Sequence, residues 1–230
     1  MKEIFENSLF FGVGISVGTY LLGIYLKKKL KIFIFNPLLV AITVTIATLL
    51  VLDIEYKSYE NGAKYLSYLL TPATVALAIP LYEQFMELKK NFTAIMVGIA
   101  SGVVTTLLTI FVMALLFKLT HTEYVTLLPK SITTAIGIGL SEELNGYVAI
   151  TVTAIIITGL FGNIAGDYMC RMFGIKHPIA KGVAIGTASH VMGTARAMEI
   201  GKTEGAMSSL SVAVAGAMTV GGAIIFENFI

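Results

Sequence analysis

Uncharged, apolar runs long enough to cross a bilayer recur along this chain, and no other feature restricts its fold as strongly. A membrane helix needs about 20 such residues to cross roughly 30 Å of hydrocarbon. Residues 7–26, 32–52, 91–117, 147–166 and 205–226 meet that length. Segments 65–88 and 178–200 are long enough but interrupted. In segment 124–141 only SITTAIGIGLS, after Lys130, is free of charge until Glu142, and as a helix it would reach only about 16 Å. Backbone groups in lipid must be bonded within the chain, so such segments fold as helices. The expectation is an all-α polytopic membrane protein. It has about seven full transmembrane helices plus a re-entrant or half-length element, in a single membrane domain over residues 1–230.

Composition narrows the function classes. The chain is 56% hydrophobic and 13% charged, against about 25% charged in a soluble domain, so much of its surface faces lipid. A net charge of +2 is too slight to attract nucleic acid. One cysteine, Cys170, excludes an internal disulfide and a cysteine-based metal centre. Neither a metal nor a cofactor is expected. There is no Gly-rich phosphate loop, no His-x-x-x-His pair and no nucleophile elbow, so the chain does not read as an enzyme. The N-terminal MKEIFENSLFFGVGISVG lacks a small-residue cleavage site after its apolar run and reads as a retained first span.

Loop charges orient the spans. Lys27, Lys28, Lys29 and Lys31 follow the first span and belong in the cytoplasm, which puts the N-terminus outside a cytoplasmic (inner) membrane. The mixed loop Asp53 to Lys64 is then outside, with Lys89 and Lys90 inside. If 124–141 dips in and returns, Arg171, Lys176 and Lys181 also stay inside, so the charges favour re-entry. The order of elements suggests inverted repeats, 32–117 and 147–228, each with a broken helix. At an offset of 116, Thr71-Pro72-Ala73-Thr74-Val75 aligns with Thr187-Ala188-Ser189-His190-Val191, and Glu83 with Glu199. Inverted repeats with broken helices are how many secondary transporters build a midplane site.

Ionisable and polar groups at membrane depth are costly and mark function. In TPATVALAIP (71–80), Pro72 and Pro80 free backbone carbonyls that, with Thr71 and Thr74, can line a polar cavity; a kinked packing helix is the other reading. In LPKSITTAIGIG (128–139), a helix starting near Ser131 would aim unpaired N–H groups inward beside Lys130, Thr133 and Thr134, which suits a small carboxylate. Alternatively Lys130 snorkels to the interface. In GTASHVMGTARAMEIG (186–201), the breaks at Gly186 and Gly193 sit among Thr187, Ser189, His190 and Thr194. Arg196 offers a planar fork to a carboxylate, and His190 can carry a coupled proton. The alternative pairs Arg196 with Glu199 or Glu204 as a structural ion pair. The spacings Gly14-xxx-Gly18, Gly98-xxx-Gly102, Gly162-xxx-Gly166 and Gly182-xxx-Gly186 read as sites of close helix approach. Asn36 either caps a helix begun by Pro37 or reaches the cavity, and Asn163 is a polar interruption of its span.

Several of these stretches carry a resemblance. NPLLVAI (36–42), LLTPATVALAIPLY (69–82), LLPKSITT (127–134), HPIAKGVAIGTASHVMGTARAMEIGKTEGAMSSL (177–210) and AGAMT (215–219) closely resemble the LrgB/CidB family, from about residue 7 to 226. That family includes antiholin-like bacterial membrane proteins and a plastid glycolate/glycerate transporter. The resemblance implies a polar centre of Lys130, Ser131, Thr133, Thr134, Thr187, Ser189, His190, Thr194, Arg196 and Glu199. The chain departs from the family pattern KS-V-TTPIAMEIS, with Ala135, Gly137 and Gly139 where Pro, Ala and Glu are expected. Two roles follow from the likeness. One is transport of small monocarboxylates of the pyruvate or glycolate type by alternating access, with a small LrgA/CidA-type membrane partner and as a homo-oligomer, a dimer. The other is antiholin-like control of murein hydrolase export and autolysis through oligomeric pores. Buried charge in broken helices favours transport, because a pore former needs sticky helix faces but no ionisable groups at depth.

Overall fold

In the computed structural model, which describes residues 10–30, 35–76 and 78–230, every regular element among the described residues is helical. The side chains of Leu70, Thr71, Thr74 and Leu81 lie outside the described set, as do residues 7–9 and 31–34 of the expected first two spans and their loop. The chain divides into two compact units, Met1–Ala76 and Leu77–Ile230.

The first unit holds α1 (Phe11–Leu30), α2 (Pro37–Val51), α3 (Tyr56–Ser67) and α4 (Leu70–Ala76). Pro37 starts α2, where its missing N–H costs nothing. Asn36 caps it, its Oδ1 accepting from Leu38 N at 2.9 Å and Leu39 N at 3.4 Å. The stretch expected as a mixed loop is mostly α3, because Tyr59, Gly62, Ala63 and Leu66 fall on one face and Lys57, Glu60 and Lys64 on another. That apolar face meets α1, where Gly12 packs on the backbone at Tyr59 and Ala63, and the Tyr59 hydroxyl lies 2.9 Å from Ser16 Oγ. Gly23 gives α1 its close approach to Pro37, whereas Gly14 and Gly18, the spacing visible in the sequence, face open space.

The second unit holds α5 (Ala78–Glu83), α6 (Phe85–Lys90), α7 (Phe92–Phe117), α8 (His121–Leu127), α9 (Thr134–Glu143), α10 (Val148–Met172), α11 (Pro178–Ile200) and α12 (Lys202–Phe226), with a 3-10 turn at Glu227–Phe229. Among the described residues, α7, α10 and the last helix, α12 with its terminal turn, are long and apolar enough to span a membrane. Helix α7 buries one stripe, Ile95, Ile99, Val103, Leu107, Ile110 and Ala114, into a core shared with Tyr124, Leu128, Ile132, Met207 and Ala215. It runs parallel to α12: a Cβ on Gly222 would lie 2.6 Å from Leu107, and the Phe111 and Phe229 rings stand 5.7 Å apart.

Helix α11 does not cross as one broken rod. Ser189 (φ −139°, ψ 22°) and His190 (φ 44°, ψ −144°) leave helical geometry, and the chain reverses there. A Cβ on Gly182 would contact Glu204 O and lie 2.9 Å from Met207 Cβ, while one on Gly205 would lie 3.1 Å from Met198 Cα. In an uninterrupted helix, residues 182 and 198 would stand about 24 Å apart; here both lie against the adjacent residues Glu204 and Gly205. Ser208 likewise touches Gly186 on one arm and Thr194 on the other. Two half-helices therefore form a hairpin with its mouth at Lys181 and Arg196 and its tip at Ser189–His190. The expected crossing at 178–200 is corrected to a fold-back, and the expected total of seven crossings does not follow from the described helices.

Segment 121–143 also doubles back, from the other end of the unit. Tyr147 N–H donates to Thr126 Oγ1 (2.8 Å), Thr151 Oγ1 donates to Thr126 O (2.8 Å), and Ser141 and Thr151 hydroxyls lie 2.7 Å apart. The end of α8 is thereby tied to the end of α9 and the start of α10, with Leu128 to Thr133 as the tip between them.

Candidate functional site

Helix α10 is the post against which both tips rest. Its glycines remove the side chains that would keep α11 away. A Cβ on Gly162 would collide with the Ser189 side chain, one on Gly159 would lie 2.7 Å from the His190 ring, and Gly166 faces Ile185. The His190 Nε2–H donates to Ile155 O at 3.0 Å, fixing the tautomer in which Nε2 holds the proton. Asn163 Nδ2 donates to Met192 O at 2.7 Å, just past the reversal. Ser189 Oγ donates to Ile185 O (2.7 Å), and Thr194 Oγ1 bonds His190 O (3.0 Å) and Ser208 Oγ (2.8 Å). His190 is 4% exposed and its φ is positive, a conformation that costs a bulky residue about 1–3 kcal/mol and clusters at functional sites. Gly193 lies against the Ser189 hydroxyl and Gly186 against the Ser208 backbone, so both make room for the hairpin.

The second tip meets α10 at the same level. A Cβ on Gly137 would press on the Ile155 side chain and lie 3.6 Å from Pro129 Cβ. Ile155 thus contacts one hairpin through its side chain and the other through its carbonyl. Here lie Lys130, whose Nζ donates to Ser131 Oγ at 3.1 Å, buried Ser131, and half-buried Thr133 and Thr134 at the start of α9. No carboxylate pairs with Lys130 among the described residues. Gly139, where the resemblance implies an acidic residue, faces open space.

Arg196 stands apart from the tips, at the mouth of the α11 hairpin. Its Nη1 is 2.6 Å from Glu199 Oε2 and its Nη2 3.8 Å from Asp167 Oδ2, with 31% of the side chain exposed. Asp167 also pairs with Lys181 (3.4 Å) and Arg171 (3.1 Å). One carboxylate on α10 therefore clamps both arms of the hairpin. Sequence reasoning missed Asp167, which directly follows the uncharged run 147–166 and lies in the last turns of α10. It also missed the Thr126, Ser141 and Thr151 network, which no local pattern announces. Pro72 lies in α4 and Pro80 in α5, helices of seven and six residues; the side chains of Thr71 and Thr74 are outside the described residues.

A cavity of about 590 Å³ runs between α7 and the first arm of α11. It extends from Asn91 and His177 at the mouth to Gly102, Thr105, Thr187 and Ala188 beside the tip. Gly98 and Gly102 bring the helices together there, against Val183 and the Thr187 methyl. Thr187 is 6% exposed, and its hydroxyl has no hydrogen-bond partner among the described residues.

Known proteins give this architecture a family. Residues 16–229 match the LrgB-like family. Proteins named "Antiholin-like protein LrgB" from Bacillus cereus (strain B4264) and Bacillus anthracis (strain A0248) are each 38% identical to the chain over 222 residues, covering 96% of both partners in each comparison. No solved structure matches it. With apolar spanning helices and a family match that takes in both folded-back segments, the chain belongs to the LrgB-like family of membrane proteins.

Proposed function

We propose that this protein is a carrier of small monocarboxylates, binding them between the tips of its two hairpins. The observation that carries the reading is the pair of fold-backs, 121–143 and 178–200, which enter from opposite ends and reach α10 at Ile155. Irregular backbone at membrane depth is tolerated where it is buried in protein or lines a cavity, and discontinuous helices meeting near the midplane are the transporter solution. The carboxylate class comes from Lys130, a half-buried cation with a neutral hydroxyl beside it and no carboxylate partner among the described residues. Such a charge is costly until an anion pairs with it. Ser131, Thr133 and Thr134 supply hydroxyls on its own tip, and the other tip brings Ser189, His190 and Thr194. Arg196 in this reading holds the hairpin mouth instead of meeting substrate.

Charge sets the orientation. Lys89, Lys90, Arg171, Lys176, Lys181, Arg196 and Lys202 gather at the mouth of the α11 hairpin, with Glu83, Asp167, Glu199 and Glu204 among them, whereas the opposite end carries Lys118 beside Glu123, Glu142, Glu143 and Glu227. The positive-inside rule makes the first end cytoplasmic. The same rule, applied to Lys27, Lys28 and Lys29 closing α1, leaves the N-terminus outside the cytoplasmic membrane. A small LrgA/CidA-type partner and a homodimer complete the proposed assembly.

The test is uptake of labelled pyruvate, glycolate and lactate into proteoliposomes, with and without that partner. Lys130→Met should weaken uptake by about thirtyfold, roughly the 2 kcal/mol lost when a desolvated charge pair is broken. Uptake that is unaffected by Lys130→Met contradicts the site. The name shared by the relatives favours a second reading, an antiholin-like regulator of permeability; liposomes that leak dye yet accumulate no carboxylate would support it.

A further inference from the structure

We propose that the cavity between α7 and the first arm of α11 is the water-filled path by which a small carboxylate reaches the hairpin tips from the Lys89–Lys90 end, and that the Thr187 hydroxyl is the hydrogen-bond donor at its inner end. This deepens the carrier reading and rests on it. The cavity begins among polar groups, Asn91 and His177, at the end of the unit where Lys89, Lys90 and Lys176 lie. It ends at Thr187, one turn from Ser189 and His190. Its volume suits a solute of a few heavy atoms that keeps part of its hydration shell. The α7 wall is built from Gly98, Ser101, Gly102 and Thr105, whose hydroxyls bond their own helix, Ser101 to Gly98 O and Thr105 to Ser101 O. Ile95 adds an apolar side chain to that wall, and Ile179 and Val183 line the α11 side. Thr187 differs from these hydroxyls: more than nine-tenths buried, its oxygen bonds nothing in its own helix. A buried hydroxyl without a partner is costly. The oxygen is closed off from the cavity in this structure, so a carboxylate at the inner end would accept from it after a rotation about the Thr187 Cα–Cβ bond.

Chain chemistry makes the test direct, because Cys170→Ala removes the single cysteine. In that background Ser101→Cys and Thr105→Cys place thiols in the cavity wall. Val97→Cys and Val104→Cys place them at matching depth on exposed α7 positions outside it. A charged, membrane-impermeant thiol reagent reacts with the thiolate, which forms only where water reaches. Added from the Lys89–Lys90 side, it should modify the wall cysteines and spare the controls, and saturating pyruvate, glycolate or lactate should slow the modification. Separately, Thr187→Val, which keeps the methyl against Gly102, should raise the half-saturation concentration for uptake about tenfold, the loss expected for one hydrogen bond to a charged group. Thr187→Ser should stay near the parent. Wall cysteines that stay unmodified while the protein still takes up carboxylate would overturn the path and leave the carrier reading standing. Thr187→Val with unchanged half-saturation would overturn the donor role. Absent uptake by the parent protein would instead sink the carrier reading, whatever the labelling pattern.

Discussion

Single residues decide where this chain can reverse. Gly159 and Gly162 on α10 are the positions at which any side chain meets the Ser189–His190 tip. Gly162→Ala and Gly159→Ala should each destabilise the protein by about 1–3 kcal/mol, as overpacking of a closed contact does, read as a lower unfolding temperature in detergent. Gly14→Ala, at open space on α1, should leave that temperature within error or raise it slightly. The sequence showed the Gly162-xxx-Gly166 spacing but gave no ground for ranking it above Gly14-xxx-Gly18. Spacing reports which residues share a face, not whether another helix covers that face. His190 was legible as an exceptional group because a histidine between apolar spans is rare. Its positive φ was not, since the reversal depends on contacts from α10 and α12 that lie far away in sequence.

At the scale of elements, the chain's breaks were visible and their geometry was not. A re-entrant or half-length element at 124–141 was expected from length and charge, and the ends of α8 and α9 are tied together there. For 178–200 the same glycines and hydroxyls are compatible with a kinked crossing or a hairpin. What separates them is Asp167, which binds Lys181 and Arg196 on the two arms. Arg196 drew attention as a fork for substrate, and its neighbours make it part of that clamp. Asp167→Asn should lower stability by about 2 kcal/mol, between the values for an exposed pair and a buried one, and should loosen the hairpin mouth to proteolysis. At the opposite end, Thr120 caps α8: its N–H and hydroxyl donate to the Glu123 carboxylate at 2.8 and 2.9 Å. The backbone bond first, then the hydroxyl, hold that carboxyl below its ordinary pKa. The folded value is therefore the lower one, so the contribution is present above the ordinary carboxylate range and fades as pH falls through the folded value. Glu123→Gln should lower the unfolding temperature at neutral pH and match the parent in acid.

For the whole molecule, composition sufficed to place the chain in a membrane, because so few charges cannot clothe a soluble surface of this size. Counting crossings required knowing which interrupted segments return, and hydropathy is blind to that. The return of α11 puts residues on either side of it at one end of the second unit. In a Cys170→Ala background, Lys176→Cys and Lys202→Cys should both react with an impermeant reagent from one and the same face, and Glu142→Cys and Glu227→Cys from the other. A crossing at 178–200 would instead separate Lys176→Cys from Lys202→Cys. The reversal itself is open to direct measurement by spin labels at Ala180→Cys and Met198→Cys in the reconstituted protein. Two packed arms with axes about 8–10 Å apart require the labels to lie closer than about 15 Å. A separation near 27 Å, the rise of one uninterrupted helix between those residues, would contradict the hairpin and the midplane site built on it.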